Sequence, residues 1–516
     1  MKIDRTKNSI KNTAWGFVQR IVTMVGPFIV RTVLIYQLSA EYSGLNSLFT
    51  AVLHILSLSE LGFSNAIVYS MYKPIAEDDQ NTICALLNLY RKAYKVIGLV
   101  ILGLGTALMP FLHFLIKGNV PADINIYLLY LIFLINTSIS YLLFGYKTSL
   151  LSANQREDVI SRNTVTVKMV LYITQIAVLL AYKNYYIYII LLPISTVAIN
   201  VLNSKTVDRM YPEITCRGII SNDMKTGIKK RLTGLMIWKI GGATRNTLDS
   251  IIVSAYLGLT MVTIYNNYYY IMSAIIAVLG IISTSMAAGV GNKIATESPE
   301  VNYRDYCKFN QIYMWISGWC TVCMACLYQP FMHLWMGPDM MLPVLPMFLF
   351  CAYFLLLKSG DINSLYYQAT GLWWEGRYRS LVEAGLNLTL NLTLGRYLGV
   401  TGILLATIIS MLSVWFYGSG IIFHHYFTAH KPSEYYLQQL INIIIISVTV
   451  AVTYYICTFV SVESTKGGLV ITLAFRFLIC CASIGLMWLF YRNTKTYPDA
   501  RDFLISIFQR VKKRNA

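Results

Sequence analysis

Residues 108–116 read LMPFLHFLI and residues 328–336 read YQPFMHLWM, so at a spacing of 220 (328 minus 108) Pro330 falls on Pro110 and His333 on His113. Each stretch closes an apolar run of membrane length, since about 20 apolar residues rising about 1.5 Å apiece cross the hydrocarbon core as a helix. A shift of 219 likewise lays Leu257 on Leu38 and Lys239 on Arg20. A repeat this long predicts two equivalent lobes. Each repeat holds an even number of spans, so both lobes enter the membrane in the same sense. They are then related by an axis along the membrane normal, with a cleft between them.

Working outward, about fourteen such runs can be drawn, which predicts an all-α polytopic membrane protein. Spans 1–6 are assigned to a first lobe (1–215) and spans 7–12 to a second (216–430); spans 13 and 14 form an appended pair with a basic tail (431–516). The lobes divide at the longest basic connection, which contains Lys205, Arg209, Arg217, Lys225, Lys229, Lys230 and Arg231. A cytoplasmic N-terminus puts 26 Lys and Arg on the inner side against three outside, Lys117, Lys183 and Lys466. Loops rich in Lys and Arg stay cytoplasmic, so both termini are expected there. The basic start MKIDRTK is followed by an apolar run to Leu38 with no small-residue cleavage site, so it reads as a first helix and not as a signal peptide.

Composition excludes a soluble enzyme. Only 13% of the 516 residues are charged and 56% are hydrophobic, where a soluble chain carries about 25% charge. The net charge of +18 lies between apolar runs and not on one domain, so it sets topology and implies no nucleic-acid partner. No phosphate loop, H-E-x-x-H pair or G-x-S-x-G elbow occurs, so neither catalysis nor a cofactor is implied. Cys320, Cys323 and Cys326 have the spacing of an iron–sulfur run but lack a fourth ligand nearby in sequence, and they read as helix packing.

The informative residues are charges inside the spans, each costing about 2.5–3.5 kcal/mol on insertion scales unless it faces a cavity or a partner. Span 1 carries Arg20 and Arg31, eleven positions apart and so only about 20° apart around a helix, which makes one basic stripe. Pro27 between them removes an amide donor where a helix can kink. Span 7 carries Lys239, Arg245 and Asp249; the last two are spaced to pair, leaving Lys239 without a local partner. Span 10 adds Lys358 and Asp361. Arg20, Arg31, Lys239, Arg245 and Lys358 are the candidate substrate-binding cations. An arginine fork suits phosphate, so the expected substrate carries phosphate or pyrophosphate. Glu60, Asp249 and Asp361 are candidates for ion pairing or for a coupling cation. Lys147 and Arg476 are expected to snorkel or to neutralise acids. The tyrosines of YNNYYY (265–270) are expected in an interfacial aromatic belt, the other role open to them being stacking on sugar faces.

The segment LSAEYSGLNSLFTAVLHILSLSELGFSNAIVYSMYKPIAEDD (38–79) resembles the early signature of the oligosaccharide flippases. So do TRNTLDSIIVSAYLG ending at Gly258, SMAAGVGN ending at Asn292 and LVEAGLNLTLNLTLGRYLGVTGILLATIIS (381–410), in family order over spans 1–12. These flippases belong to the multidrug, oligosaccharidyl-lipid and polysaccharide exporter superfamily. The resemblance implies a MATE-like exporter fold in a bacterial cytoplasmic membrane. It implies transfer of an undecaprenyl-pyrophosphate-linked oligosaccharide to the outer leaflet by alternating access, for a polysaccharide such as O-antigen or capsule. Its partners would be the polyprenyl-linked glycan, membrane lipids, and a polysaccharide polymerase and glycosyltransferases. The family's basic cavity residues map onto Arg20, Arg31 and Lys239. Rival readings are a lipid II flippase, which shares the span count and basic first helix, and a cation-coupled drug exporter, which would need acidic groups where this chain has basic ones. A membrane glycan polymerase or ligase would need a long outer loop, and the longest here is about residues 330–341.

Overall fold

The computed structural model describes the chain apart from residues 1–4, 61, 119, 373, 374, 377, 461–464 and 516. The side chains of 5–7, 9, 59, 230, 231, 233–246, 507, 508 and 510–515 also lie outside the description. Among the described residues every regular element is helical, and the chain divides into two compact units, Met1–Thr263 and Ile264–Ala516.

The first unit runs α1 (Arg5–Gln37), α2 (Ala40–Leu56), α3 (Phe63–Ala76), α4 (Gln80–Leu108), α5 (Ile126–Leu142), α6 (Thr148–Ala153), α7 (Glu157–Ala181), α8 (Tyr185–Met210), α9 (Asn222–Leu257) and the first residues of α10 (Leu259–Thr296). Side-chain caps satisfy orphan amides at the helix starts: Asp79 at α4, Asn125 at α5, Asn184 at α8 and Ser221 at α9. Hydrogen bonds from the Thr82 side chain and backbone hold the Asp79 carboxyl below the usual carboxylate range. The break between α2 and α3 uses a 3₁₀ turn and Gly62 at φ 94°, a left-handed conformation that glycine adopts without strain.

Helix α1 runs parallel to α7 along a seam of small and polar side chains. Asn12 accepts from the Asp158 amide at 2.7 Å, Ser161 donates to Gln19 at 2.7 Å, and the Tyr172 ring lies where a Cβ on Gly26 would stand, 2.2 Å away. The α2 helix meets the α9–α10 turn as closely: a Cβ on Gly44 would lie 2.3 Å from the Leu259 carbonyl oxygen. Because that obstacle is backbone, Gly44→Val should destabilise the protein by about 1–3 kcal/mol, the usual cost of overpacking. The check is the thermal midpoint of the purified protein beside that of Gly16→Val, where an added Cβ meets nothing within 4 Å.

The second unit continues α10 and adds α11 (Pro299–Met336), α12 (Val344–Ser359), α13 (Asp361–Ala369), α14 (Arg379–His425), α15 (Pro432–Thr458), α16 (Lys466–Tyr491) and α17 (Tyr497–Asn515). Helix α11 is its hub, with α12, α15 and α16 against it. Gly318 lets Ile446 of α15 and Met487 of α16 close onto α11, and the Trp319 indole donates to the Cys480 carbonyl at 2.9 Å. The appended spans 13 and 14 are therefore α15 and α16, packed on α11. The α10–α11 turn is fixed by Asp305, which pairs with Lys293 and with Lys308.

Nine described helices are long and apolar enough to cross a membrane, or ten if α5 and α6, bent by 46°, count as one span. The chain is a multi-pass membrane protein. Gly399, with φ 58° and ψ −136°, divides α14 into two rods.

Two sequence expectations change. The tyrosines of 265–270 do not all form a surface belt: Tyr265 and Tyr268 are fully buried in the second unit, where Tyr268 donates to Gln329 at 2.8 Å and accepts from the Leu342 amide. The Tyr268 hydroxyl has partners inside the protein and the Tyr265 ring packs on Phe350, so burial beats the interface. Cys326, moreover, is not short of thiol neighbours, because α15 and α16 bring Cys457 and Cys480 against it and Cys323 packs on the same cluster. These four thiols pack in one apolar cluster, and among the described residues no His, Cys, Asp and Glu group has the arrangement to hold a metal ion.

Candidate functional site

The continuous α1 helix preserves the predicted stripe and gives its two members different surroundings. Arg20 is exposed. Arg31, about three turns further on, is half-buried, and its guanidinium donates to Ser47 of α2 at 3.4 Å and to the Thr263 carbonyl at 3.3 Å. The C-terminal end of α1 is thereby tied to α2 and to the start of α10. Around this point Thr263 donates to the Ala40 carbonyl at 2.6 Å, Thr260 donates to the Glu41 carboxylate at 3.0 Å, and the Lys117 amide donates to the Ser254 carbonyl of α9 at 3.1 Å. Gly258, at φ 90°, lets the α9–α10 turn pass 3.0 Å from the Lys117 carbonyl, counted from a would-be Cβ. Although the sequence repeat pairs α9 with α1, the C-terminal part of α9 packs within the first compact unit, against α2.

The side chains of Lys239 and Arg245 lie outside the described residues. Asp249, one turn beyond Arg245 on α9, is fully buried. Thr247 lies 3.3 Å from a ring nitrogen of His54. Glu60, in the turn after α2, accepts a hydrogen bond from Tyr94 at 2.9 Å, and Tyr94 in turn accepts from Tyr90 at 2.7 Å. That relay supplies neutral donors to a half-buried carboxylate at the α2–α3 break. In the second unit Lys358 is buried and pairs with Asp361 at 2.7 Å, and Tyr313 donates to the same carboxylate oxygen. Lys358 is thus neutralised locally, as the three-residue spacing predicts. Lys147 pairs with Asp208 at 2.6 Å, and Arg476 donates to the carbonyls of Val460 and Cys326, both at 3.3 Å; these two cations have local partners.

Two features escaped the sequence reading. Lys168 lies midway along α7, inside an apolar span. In the second unit Asn387 is buried and donates to Thr407 at 3.2 Å and to Ser410 at 3.4 Å, and Asn391 donates to Asn387 at 3.1 Å. With buried Glu383, these α14 residues recur every fourth position (383, 387, 391), a polar line on one helix face that the sequence already displays.

With this geometry in hand, comparison with solved structures decides the architecture. A lipid II flippase, MurJ, in an inward closed conformation superposes with a TM-score of 0.64 at 15% identity, covering 94% of this chain and 99% of that one. The fold is that of the MOP exporters. An inward-facing MATE family multidrug transporter of the MOP superfamily gives a TM-score of 0.54 at 12% identity, over 78% of this chain and 93% of its own. A MOP superfamily transporter from Pyrococcus furiosus, described by the reversed polarity of its binding pocket, gives 0.52 at 12% identity, over 80% and 94%. These MOP structures thus leave about a fifth of this chain uncovered, whereas the MurJ structure leaves only a few per cent. No family model matches the sequence, and no curated protein matches it significantly.

Proposed function

We propose that the protein flips a polyprenyl-pyrophosphate-linked oligosaccharide across a bacterial cytoplasmic membrane, by rocking the two repeat-defined lobes about a basic cleft. The observation that carries this reading is a full-length MOP exporter fold whose first helix carries Arg20 and Arg31 within a membrane span. A MOP exporter of cationic drugs would need acidic groups there. Arginine forks instead suit the oxygens of a pyrophosphate. A pyrophosphate diester carries about two negative charges, each favoured outward by roughly 2.3 kcal/mol per 100 mV of inside-negative potential, so voltage can assist export. Lys239 and Arg245 are assigned to the same substrate group, Lys358 to the ion pair that it makes with Asp361, and Glu60 and Asp249 to ion pairing or coupling. Flipping breaks no covalent bond, so the protein acts without catalysis, beside the polymerase and glycosyltransferases that make and use the glycan.

Deletion of the gene followed by mass analysis of accumulated polyprenyl-linked intermediates tests the substrate. A lipid-linked repeat unit is expected, and no accumulation would refute the reading. Accumulated lipid II would instead favour the second reading, a lipid II flippase, which the coverage of the MurJ structure recommends. Orientation has its own test. Lys225→Cys, exposed at the start of α9, should react with an impermeant maleimide only after the membrane is opened, in a variant lacking the ten native cysteines. Labelling in intact cells would reverse the assigned topology.

A further inference from the structure

Ser161, Lys168 and Gln175 stand seven residues apart on α7, and seven residues turn a helix through about 700°, so all three lie within about 40° of one line. The outer two are buried and bonded to neighbouring helices: Ser161 donates to Gln19 of α1 at 2.7 Å and Gln175 to the Tyr188 carbonyl of α8 at 3.4 Å. Lys168 between them therefore faces the seam where α7 meets α1 and α8. It is partly buried there and has no hydrogen-bond or ion-pair partner among the described residues. It stands eleven residues from Glu157 and thirteen from Ala181, roughly 16 and 20 Å along the axis, too deep for its four-carbon stem to bring the ammonium to either headgroup layer.

Polar side chains lie on either side of Lys168 along α7 and α8. On α7 and α8 the Asn163–Asn203 and Gln175–Tyr188 bonds bracket an antiparallel register that sets residues 195–198 level with Lys168. Thr196 at that level donates to Asn136 of α5 at 2.8 Å. An ammonium at this depth needs a counter-charge, and an anion supplies one where no carboxylate does. We infer that Lys168 holds a phosphate oxyanion in this seam, as a second anion site apart from the arginine stripe. The two sites are distinct because Arg20 lies about 100° round α1 from Gln19, and Arg31 about 140° from Gly26, whereas Gln19 and Gly26 are the residues that face α7. The phosphate can arrive as a free inorganic ion or as the headgroup of a polyprenyl lipid; the second source rests on the flippase reading.

The test is a titration of the purified full-length protein in detergent with inorganic pyrophosphate and, separately, with undecaprenyl pyrophosphate, read by thermophoresis. Lys168→Met, and Lys168→Gln should Met fail to fold, is expected to weaken binding about tenfold or more, with Lys168→Arg close to wild type. Binding of the lipid but not of the inorganic ion assigns the site to substrate, and comparable binding of both assigns it to a free anion. If wild type binds inorganic pyrophosphate through Lys168 and ignores the lipid, the site stands and the flippase reading falls. Equal affinity of wild type and both neutral variants for each probe overturns the site while leaving the flippase reading intact, whereas the absence of saturable binding of either probe overturns both.

Discussion

Alanine at Arg20, Arg31 and Lys239 together is expected to lower export of the lipid-linked glycan at least about tenfold, with the amount of protein in the membrane unchanged or higher. The sign follows from the medium: removing cations from the centre of a span makes insertion cheaper, so a loss of export without a loss of protein points at the substrate. The magnitude follows from one interaction, since a hydrogen bond to a charged group contributes about 1.5–3 kcal/mol, or roughly 10–150-fold in an equilibrium. The single variants separate the causes. Arg20 is exposed and makes no side-chain hydrogen bond or ion pair among the described residues, so Arg20→Ala is the variant that isolates ligand binding. Arg31 also holds Ser47 and the Thr263 carbonyl, so Arg31→Ala should additionally loosen α1 from α2 and α10. Arg31→Lys keeps the charge but loses the fork; partial rescue by lysine assigns the defect to charge, and none assigns it to the two-pronged contact. Export at wild-type rate by the triple variant, measured as glycan at the cell surface per unit of protein, would remove the basic stripe from the mechanism.

How much of this could be read from residues alone follows from the range of each signal. The helices were legible because lipid imposes a length: a span must satisfy its own backbone and stay apolar for about 20 residues, so each leaves a local mark. Short-range pairs were legible for the same reason, as Lys358 with Asp361 shows. Contacts between distant segments leave no such mark. Nothing near Cys326 in sequence announces Cys457 or Cys480, and nothing near Tyr268 announces Gln329 and the Leu342 amide. The arginine stripe was recovered because 3.6-residue periodicity acts within one helix. What Arg31 touches was not, because Thr263 is 232 residues away. Lys168 was visible in the sequence and passed over, since a single lysine in a span has an ordinary role in snorkelling; its depth on α7, and the seam it faces, required the helix ends and the Ser161 and Gln175 contacts.

Joining Glu41→Cys to Thr260→Cys by oxidation is expected to stop transport almost completely and to do so reversibly. The two native side chains meet at 3.0 Å, one at the start of α2 and the other at the start of α10, beside the Thr263–Ala40 and Arg31–Thr263 contacts. In the proposed topology this is the extracellular end, where the α9–α10 turn closes on α1 and α2. All of these contacts are hydrogen bonds of ordinary strength, about 0.5–1.5 kcal/mol each and more where a charge takes part, which is weak enough to break and reform in a transport cycle. A disulfide at the same place does not yield, so if release on the outer side requires this contact to open, the cross-linked protein cannot complete the cycle. In proteoliposomes containing a Cys-less background with the added pair, the flipped fraction of a fluorescent polyprenyl-pyrophosphate glycan should fall to the protein-free level after oxidation and recover with reductant. Each single-cysteine variant should be unaffected by the same treatment. Full transport by protein shown on a gel to be cross-linked would mean that the α2–α10 contact stays shut throughout the cycle, and that the lipid-linked glycan leaves by some route other than the opening of this end.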